Sequence, residues 1–214
     1  MTDRMTLQKC ILGSVSTNCY FGKNNESGEM FIVDPADYAD RIIAKVSEMQ
    51  GKPVAVLLTH GHFDHILAAN EICRYYRIPI YAHHLEQDML LDPSVNMSAY
   101  SFEQCSIKVD KPLEDLQMIE VAGFSIQVLH TPGHTKGSCC YYLEDESILL
   151  SGDTLFYGSV GRTDFPGGSS EEIRMSLHRL VDNLPEDTVV YPGHDITTTI
   201  GSEKRSNSPL SLGS

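Results

Sequence analysis

Residues 57–70 read "LLTHGHFDHILAAN", which puts three histidines and an aspartate within six positions. The stretch continues "PVAVLLT", residues 53–59, an apolar run without alternation that predicts a strand covered on both faces. His60 and His62, at i and i+2, leave an extended segment in the same direction. Asp64 and His65 fall at the predicted start of a helix and are angled differently. One short loop can therefore offer two ligands to one ion and two to a neighbour. Imidazole and carboxylate suit Zn²⁺, and Fe and Mn as well.

Three further segments repeat the arrangement. "TPGHTKGS" sets His134 in a Gly-Pro loop after a strand, "LLSGDTLF" sets Asp153 after another, and "VVYPGHD" sets His194 after a third. Each candidate stands beside glycine, which lets backbone approach closely. Strand-to-loop junctions that end repeatedly in His or Asp argue for one site drawn from distant parts of the chain.

The rest of the sequence supplies the frame. "TLQKCIL", "TNCYFG" and "EMFIVD" read as strands joined by turn-rich spacers. A helix is predicted near residues 36–50, where Ile42, Ile43, Val46 and Met49 recur at helical spacing and Gly51 takes the C-terminal glycine position. A second begins at Asp64 or His65, with Ile66, Ala69, Cys73 and Tyr76 along one face. A short strand, "IPIYAH", precedes an irregular stretch at 91–115. Then comes a cluster of strands: "QMIEVAG", "FSIQVLH", "SCCYYLE" and "SILLSGD". The last clear helix spans about 170–183, with Ser169 and Glu172 as a capping box. The tail at 205–214 is expected to be loose. Strands and helices in both halves predict an α+β fold, one domain over residues 1–214 with two layers of sheet flanked by helices.

Composition narrows the partners. A net charge of −13 disfavours a sequence-independent grip on nucleic acid. No apolar run approaches the length that crosses a bilayer, and the opening "MTDRMTLQKC" lacks a secretory hydrophobic segment, so no membrane partner and a cytoplasmic location are expected. None of the six cysteines forms a C-x-x-C pair, so free, mostly buried thiols are expected. Cys139 and Cys140, adjacent on a predicted strand, should point to opposite faces. His83 and His84 are expected at the surface, and His130 either beside a ligand loop or in the core.

"THGHFDH", "PGHT", "GDTLF" and "PGHD", in this order, resemble the metallo-β-lactamase superfamily, and within it the glyoxalase II-like (hydroxyacylglutathione hydrolase) branch. The resemblance runs from "TNCY" to "GHDITTTIG" and implies a four-layer αββα sandwich of two mixed β-sheets with a metal centre at one edge. It implies that His60, His62 and His134 bind one metal, that Asp64, His65 and His194 bind a second, and that Asp153 bridges them. Two divalent ions, zinc first with Fe or Mn as alternatives, would then supply a bridging hydroxide that attacks a thioester carbonyl. Asp64 is expected to hydrogen-bond that nucleophile as well as to ligate.

The expected partner is a small-molecule thioester, with the chain acting as a monomer or homodimer. Arg162, in "SVGRTDF", stands where the family places a cation for the glycine carboxylate of glutathione, and Tyr157 is expected to line the pocket. Asp164 and Ile196 stand where the family's aromatic glutathione contacts would be. Only 20 residues follow His194, so the family's extra C-terminal helical region is expected to be missing. "GRTDFPGG" also resembles the persulfide dioxygenases of the same superfamily, which would hold one Fe(II) with His60, His134 and Asp153. A non-catalytic metal-binding scaffold is the remaining alternative.

Overall fold

The computed structural model describes residues 4–208. One sheet takes its strands in chain order: β1 (Met5–Leu12), β2 (Thr17–Asn24), β3 (Glu29–Val33), β4 (Lys52–Leu57), β5 (Ile80–His83) and β6 (Lys111–Leu113). The first three are antiparallel, and β3 through β6 run parallel. The parallel half needs crossovers, supplied by α1 (Ala39–Glu48), α3 (Ala69–Tyr76) and a segment containing α4 (Gln87–Leu91). The second sheet is ordered β14 (Thr198–Thr199), β13 (Val189–Pro192), β10 (Ile148–Gly152), β9 (Cys139–Leu143), β8 (Phe124–His130) and β7 (Met118–Val121). Its β10–β13 pair is parallel and the rest antiparallel, so both sheets are mixed. A small hairpin, β11 (Leu155–Phe156) with β12 (Ser159–Val160), follows Asp153.

Three apolar clusters separate four layers. Ile42, Val46 and Ile72 of α1 and α3 pack on Phe21, Ile32 and Val56 of the first sheet. Phe31, Ala55 and Leu57 meet Phe124, Ile126, Tyr141 and Leu150 between the sheets. Leu129, Tyr142 and Leu149 pack under Ile173, Leu177 and Leu180 of α5 (Ser170–Asn183). This is the expected αββα sandwich. β4 shows why "PVAVLLT" carries no alternation: Val56 faces helices and Leu57 faces the other sheet. Cys139 and Cys140 part as the pleat requires, one into the inter-sheet core and one under α5. The Ser169 hydroxyl accepts from Glu172 N–H, as the capping pattern predicts.

Three expectations need correction. The helix expected from Asp64 is two pieces, α2 (Phe63–Ile66) and α3. Ala68 N–H donates to Pro35 O, and Leu67 N–H is shared between Phe63 O and Ala36 O. The chain from β3 thus diverts the donors that a continuous helix would use. The left-handed residue ending α1 is Gln50 rather than Gly51, whose N–H bonds back to Val46 O. Within 91–115, three residues around Pro112 form edge strand β6, where a missing N–H is tolerated. The tail is helical through α6 (Ile200–Ser206), capped by Thr199. The expectation of a loose end beyond residue 208 lies outside the described residues.

Candidate metal centre

Four strands end at one edge of the sandwich: β4 from the first sheet, and β8, β10 and β13 from the second. The loops that follow them bring all seven predicted residues together. His60, His62, His65 and His134 are buried. Asp64 and Asp153 expose 11% of their side chains and His194 exposes 19%.

Two groupings form. Around the first, His62 Nδ1 lies 2.8 Å from His134 Nε2, which lies 3.2 Å from His60 Nε2. In the second, His65 Nε2 lies 3.4 Å from His194 Nε2, and Asp64 Oδ2 lies 3.5 and 3.3 Å from the two rings. Asp153 spans them: Oδ2 is 3.6 Å from His134 and 3.5 Å from His194, and Oδ1 is 3.4 Å from His65. Gly193 makes this possible, because a Cβ there would lie 2.2 Å from Asp153 Oδ1 and 2.7 Å from His65 Cε1.

Tautomers follow from what each ring's far nitrogen touches. His134 Nδ1 meets the Arg162 carbonyl at 2.8 Å; a carbonyl only accepts, so Nδ1 carries the proton and Nε2 offers a lone pair. Thr59 donates its hydroxyl to Asp34 Oδ2 at 2.7 Å, which leaves its oxygen to accept from His60 Nδ1 at 3.1 Å. His60 Nε2 is therefore also a lone pair. His65 Nδ1 donates to Asp34 Oδ2 at 2.9 Å and presents Nε2. Lone pairs converging at these separations fit a cation, and Asp153 Oδ1 is buried with no hydrogen-bond partner. His60, His62 and His134 could hold one ion, and Asp64, His65 and His194 another, the candidate atoms of each lying within 4.8 Å of one another. Asp34, His60 and His65 also lie that close. Asp34, however, already accepts from Thr59 N–H, the Thr59 hydroxyl and His65, so it is a support.

The two groupings differ electrostatically. Burial keeps His60 and His62 neutral, His62 falling to about 3, and neighbouring imidazoles add to the effect. Burial also lowers His134, against the pull of Asp153. At His65 burial is outweighed by Asp64, Asp153 and Asp34, which raise it to about 10. His194 rises too, burial being outweighed by its bond to Asp64 and by Asp153. Burial would push Asp64 up, but His65, His194 and Thr17 hold its carboxyl well below the usual carboxylate range.

The supports are what the sequence reading missed. Asp34, at φ 49° before Pro35, looks like a turn residue, yet it orients one histidine of each grouping. Glu86 looks like a surface helix residue, yet it is buried and accepts from Gly61 N–H (2.8 Å), Thr135 Oγ1 (2.8 Å) and Gly137 N–H (2.7 Å). It joins the loop of His60 and His62 to that of His134. Thr17 donates to Asp64 Oδ2 at 2.8 Å.

His83 is buried rather than at the surface, stacked on His130 with centroids 4.1 Å apart. His84 is the one of that pair that reaches solvent, and His130 Nε2 donates to Lys136 O. The two expected substrate contacts lie at the rim. The Arg162 guanidinium makes two 2.7 Å bonds to Asp164 and stacks 3.8 Å over Phe165, whose ring lies edge-on to His62. Tyr157 is exposed on the β11–β12 turn, beside Phe156, which lies edge-on to His194.

A sandwich with such a centre at its strand ends defines a class, and the sequence agrees: the family model for the "Metallo-beta-lactamase superfamily" matches residues 12–194, and the chain belongs to that superfamily. It is 35% identical to the "Probable metallo-hydrolase YqgX" of Bacillus subtilis, covering 95% of this chain and 96% of that protein. It is 34% identical to the "Hydroxyacylglutathione hydrolase GloC" of Haemophilus influenzae, covering 82% and 84%. Among solved structures it is similar to the BLEG-1 B3 metallo-beta-lactamase (38% identity, TM-score 0.90, 96% and 99% covered). It is also similar to TTHA1623 in a di-iron-bound form (34%, 0.83, 94% and 98%) and to ETHE1 from Myxococcus xanthus (28%, 0.78, 95% and 83%). Among the described residues no helix is long and apolar enough to cross a membrane.

Proposed function

We propose that the chain is a dinuclear metal-dependent thioester hydrolase, of the class that includes hydroxyacylglutathione hydrolases. The observation that carries this reading is the Asp153 carboxylate set between two complete ligand groups, within 3.4–3.6 Å of His65, His134 and His194. His60, His62 and His134 would hold one divalent ion and Asp64, His65 and His194 the other, with Asp153 shared. When bound, such ions would lower the pKa of coordinated water to about 7 and polarise an acyl carbonyl.

The chain's own groups do the rest. Asp34 and the Arg162 carbonyl fix the lone pairs of His60, His65 and His134, so little reorganisation is needed at reaction. Asp64, held ionised and anchored by Thr17, accepts a hydrogen bond from the attacking water and orients it. Phe165 and Phe156 flank His62 and His194 and limit water at the two sides. A thiolate leaves readily, so no acid for the leaving group is required.

The test is metal analysis followed by assay of S-lactoylglutathione, a simple acyl thioester, a β-lactam and glutathione persulfide. The reading expects two metals per chain, thioester hydrolysis, and loss of both metal and turnover in His60→Ala and His134→Ala. Oxygen uptake on the persulfide with one iron per chain would replace it by the dioxygenase reading. A metal-loaded protein inert to all four would leave a scaffold.

A further inference from the structure

Asp153 and Arg162 stand at the two ends of one small excursion of the chain. Between them runs the β11–β12 hairpin, with Tyr157 and Gly158 as its turn. Both ends serve the metal centre. Asp153 is the carboxylate between the two ligand groups, and the Arg162 carbonyl accepts from His134 Nδ1 at 2.8 Å. The ends also pack on each other: a Cβ on Gly161 would run into the Asp153 carbonyl and lie 3.1 Å from His134 Nδ1. A displacement of the hairpin is therefore felt at the shared carboxylate and behind His134 together.

The hairpin does little to hold itself. Its strands are two residues each, Leu155 paired with Val160 and Phe156 with Ser159, and an isolated two-stranded ribbon is marginal in water. Tyr157, Gly158 and Ser159 are exposed, and a Cβ on Gly158 would meet no described atom within 4 Å. What reaches the turn comes from the C-terminal segment. Glu203 of α6 is fully buried, and its Oε2 accepts from Gly158 N–H at 2.9 Å. The same oxygen accepts from Asn207 Nδ2 at 2.7 Å, and Asn207 Nδ2 also donates to the Ser159 carbonyl at 3.1 Å. Oε1 accepts from the Thr198 hydroxyl at 2.5 Å. A buried carboxyl is costly unless it is hydrogen-bonded, and these bonds are spent on the hairpin and on the strand before α6.

We infer that Glu203 is a positioning residue of the metal centre. By holding Gly158 N–H it fixes the β11–β12 hairpin, and through the hairpin the Asp153 carboxylate and the Arg162 carbonyl that orients His134. The inference rests on the metal-centre part of the proposed function and on no substrate.

The experiment follows zinc-loaded protein by two readouts: zinc affinity, from competition with a chromophoric chelator, and the NMR signal of the His134 Nδ1 proton. Glu203→Leu removes both acceptor oxygens at similar volume. Losing the support behind a ligating histidine costs about 10- to 100-fold in metal affinity, so a loss of at least about tenfold is expected, with a shifted or exchange-broadened His134 proton. Glu203→Gln is the rescue. Its oxygen accepts from Gly158 and Asn207 while its amine donates to the Thr198 hydroxyl, so both readouts should match the unaltered protein. Thr198→Val cuts only the bond to Oε1; it should lower unfolding stability and leave both readouts unmoved. Unaltered protein supplies a further measurement should Glu203→Leu fail to fold. Coupling is reciprocal, so zinc loading should raise the hydrogen-exchange protection of Gly158 N–H by the same factor, about tenfold. A Glu203→Leu centre with unchanged affinity and signal overturns the inference, as does a Glu203→Gln centre as weak as that of Glu203→Leu. Equal damage from Thr198→Val, or Gly158 protection indifferent to zinc, overturns it too. No arm uses a thioester, so a zinc-loaded protein inert to thioesters sinks the thioesterase reading alone.

Discussion

Asp34→Asn changes one atom's chemistry in a side chain that touches no metal position, yet it should weaken the whole centre. Asp34 is 2% exposed and accepts three hydrogen bonds of 2.7–2.9 Å, two from Thr59 and one from His65. An amide of the same shape offers one acceptor oxygen and turns the other end into a donor. If the amine faces Oδ2's partners, it confronts the Thr59 hydroxyl and His65 N–H, so the proton positions of His60 and His65 are lost together. A hydrogen bond to a buried charged group is worth about 1.5–3 kcal/mol, or at least tenfold in affinity. Loss of a partner behind a metal-ligating histidine typically costs about 10- to 100-fold. Metal affinity at both groupings should therefore fall by about that range. It would be read by competition with a chromophoric chelator, with turnover recovering as metal is added in excess. A variant that stays folded and binds two equivalents with unchanged affinity would refute the reasoning, because Asp34 would then be only a strand-end residue. Loss at one grouping alone would refute the shared role.

In the metal-free protein His65, raised to about 10, holds its proton at neutral pH, whereas His62, lowered to about 3, does not. By linkage His65 adds stability below its ordinary pKa that is lost as pH rises through about 10. Neutral His62 adds stability above its ordinary pKa that is lost as pH falls toward about 3. Metal uptake at Asp64, His65 and His194 should then release protons and tighten from pH 7 to 9, while uptake at His60, His62 and His134 stays flat there; equal slopes in calorimetric titrations would contradict this. Gly193→Ala puts a methyl 2.2 Å from Asp153 Oδ1 and should strip metal from the shared position with the fold intact, seen as lowered metal content at an unchanged circular dichroism spectrum. Leu177→Ala, fully buried between α5 and the second sheet, should cost about 2–5 kcal/mol in denaturant unfolding without changing metal stoichiometry.

The candidate ligands were legible because each stands at or just past the end of an apolar strand, where a polar side chain has no packing reason to be. The layers were legible because the two pleat faces of "PVAVLLT" and of Cys139–Cys140 had to be covered differently. What escaped was whatever depends on a partner far away in sequence. Asp34 and Glu86 carry no periodicity, and their burial comes from Thr59, His65, Gly61 and Gly137 closing over them. The break after Ile66 is invisible for the same reason, since backbone from residues 35–36 interrupts a locally good helix. His83 was misplaced because its stacking partner, His130, lies in the other sheet.

Anomalous diffraction from crystals of metal-loaded protein tests the central claim most directly. The account predicts two peaks, one among His60, His62 and His134 and one among Asp64, His65 and His194, with Asp153 in contact with both. A single peak held by His60, His134 and Asp153, or none at all in protein that turns over thioesters, would contradict it.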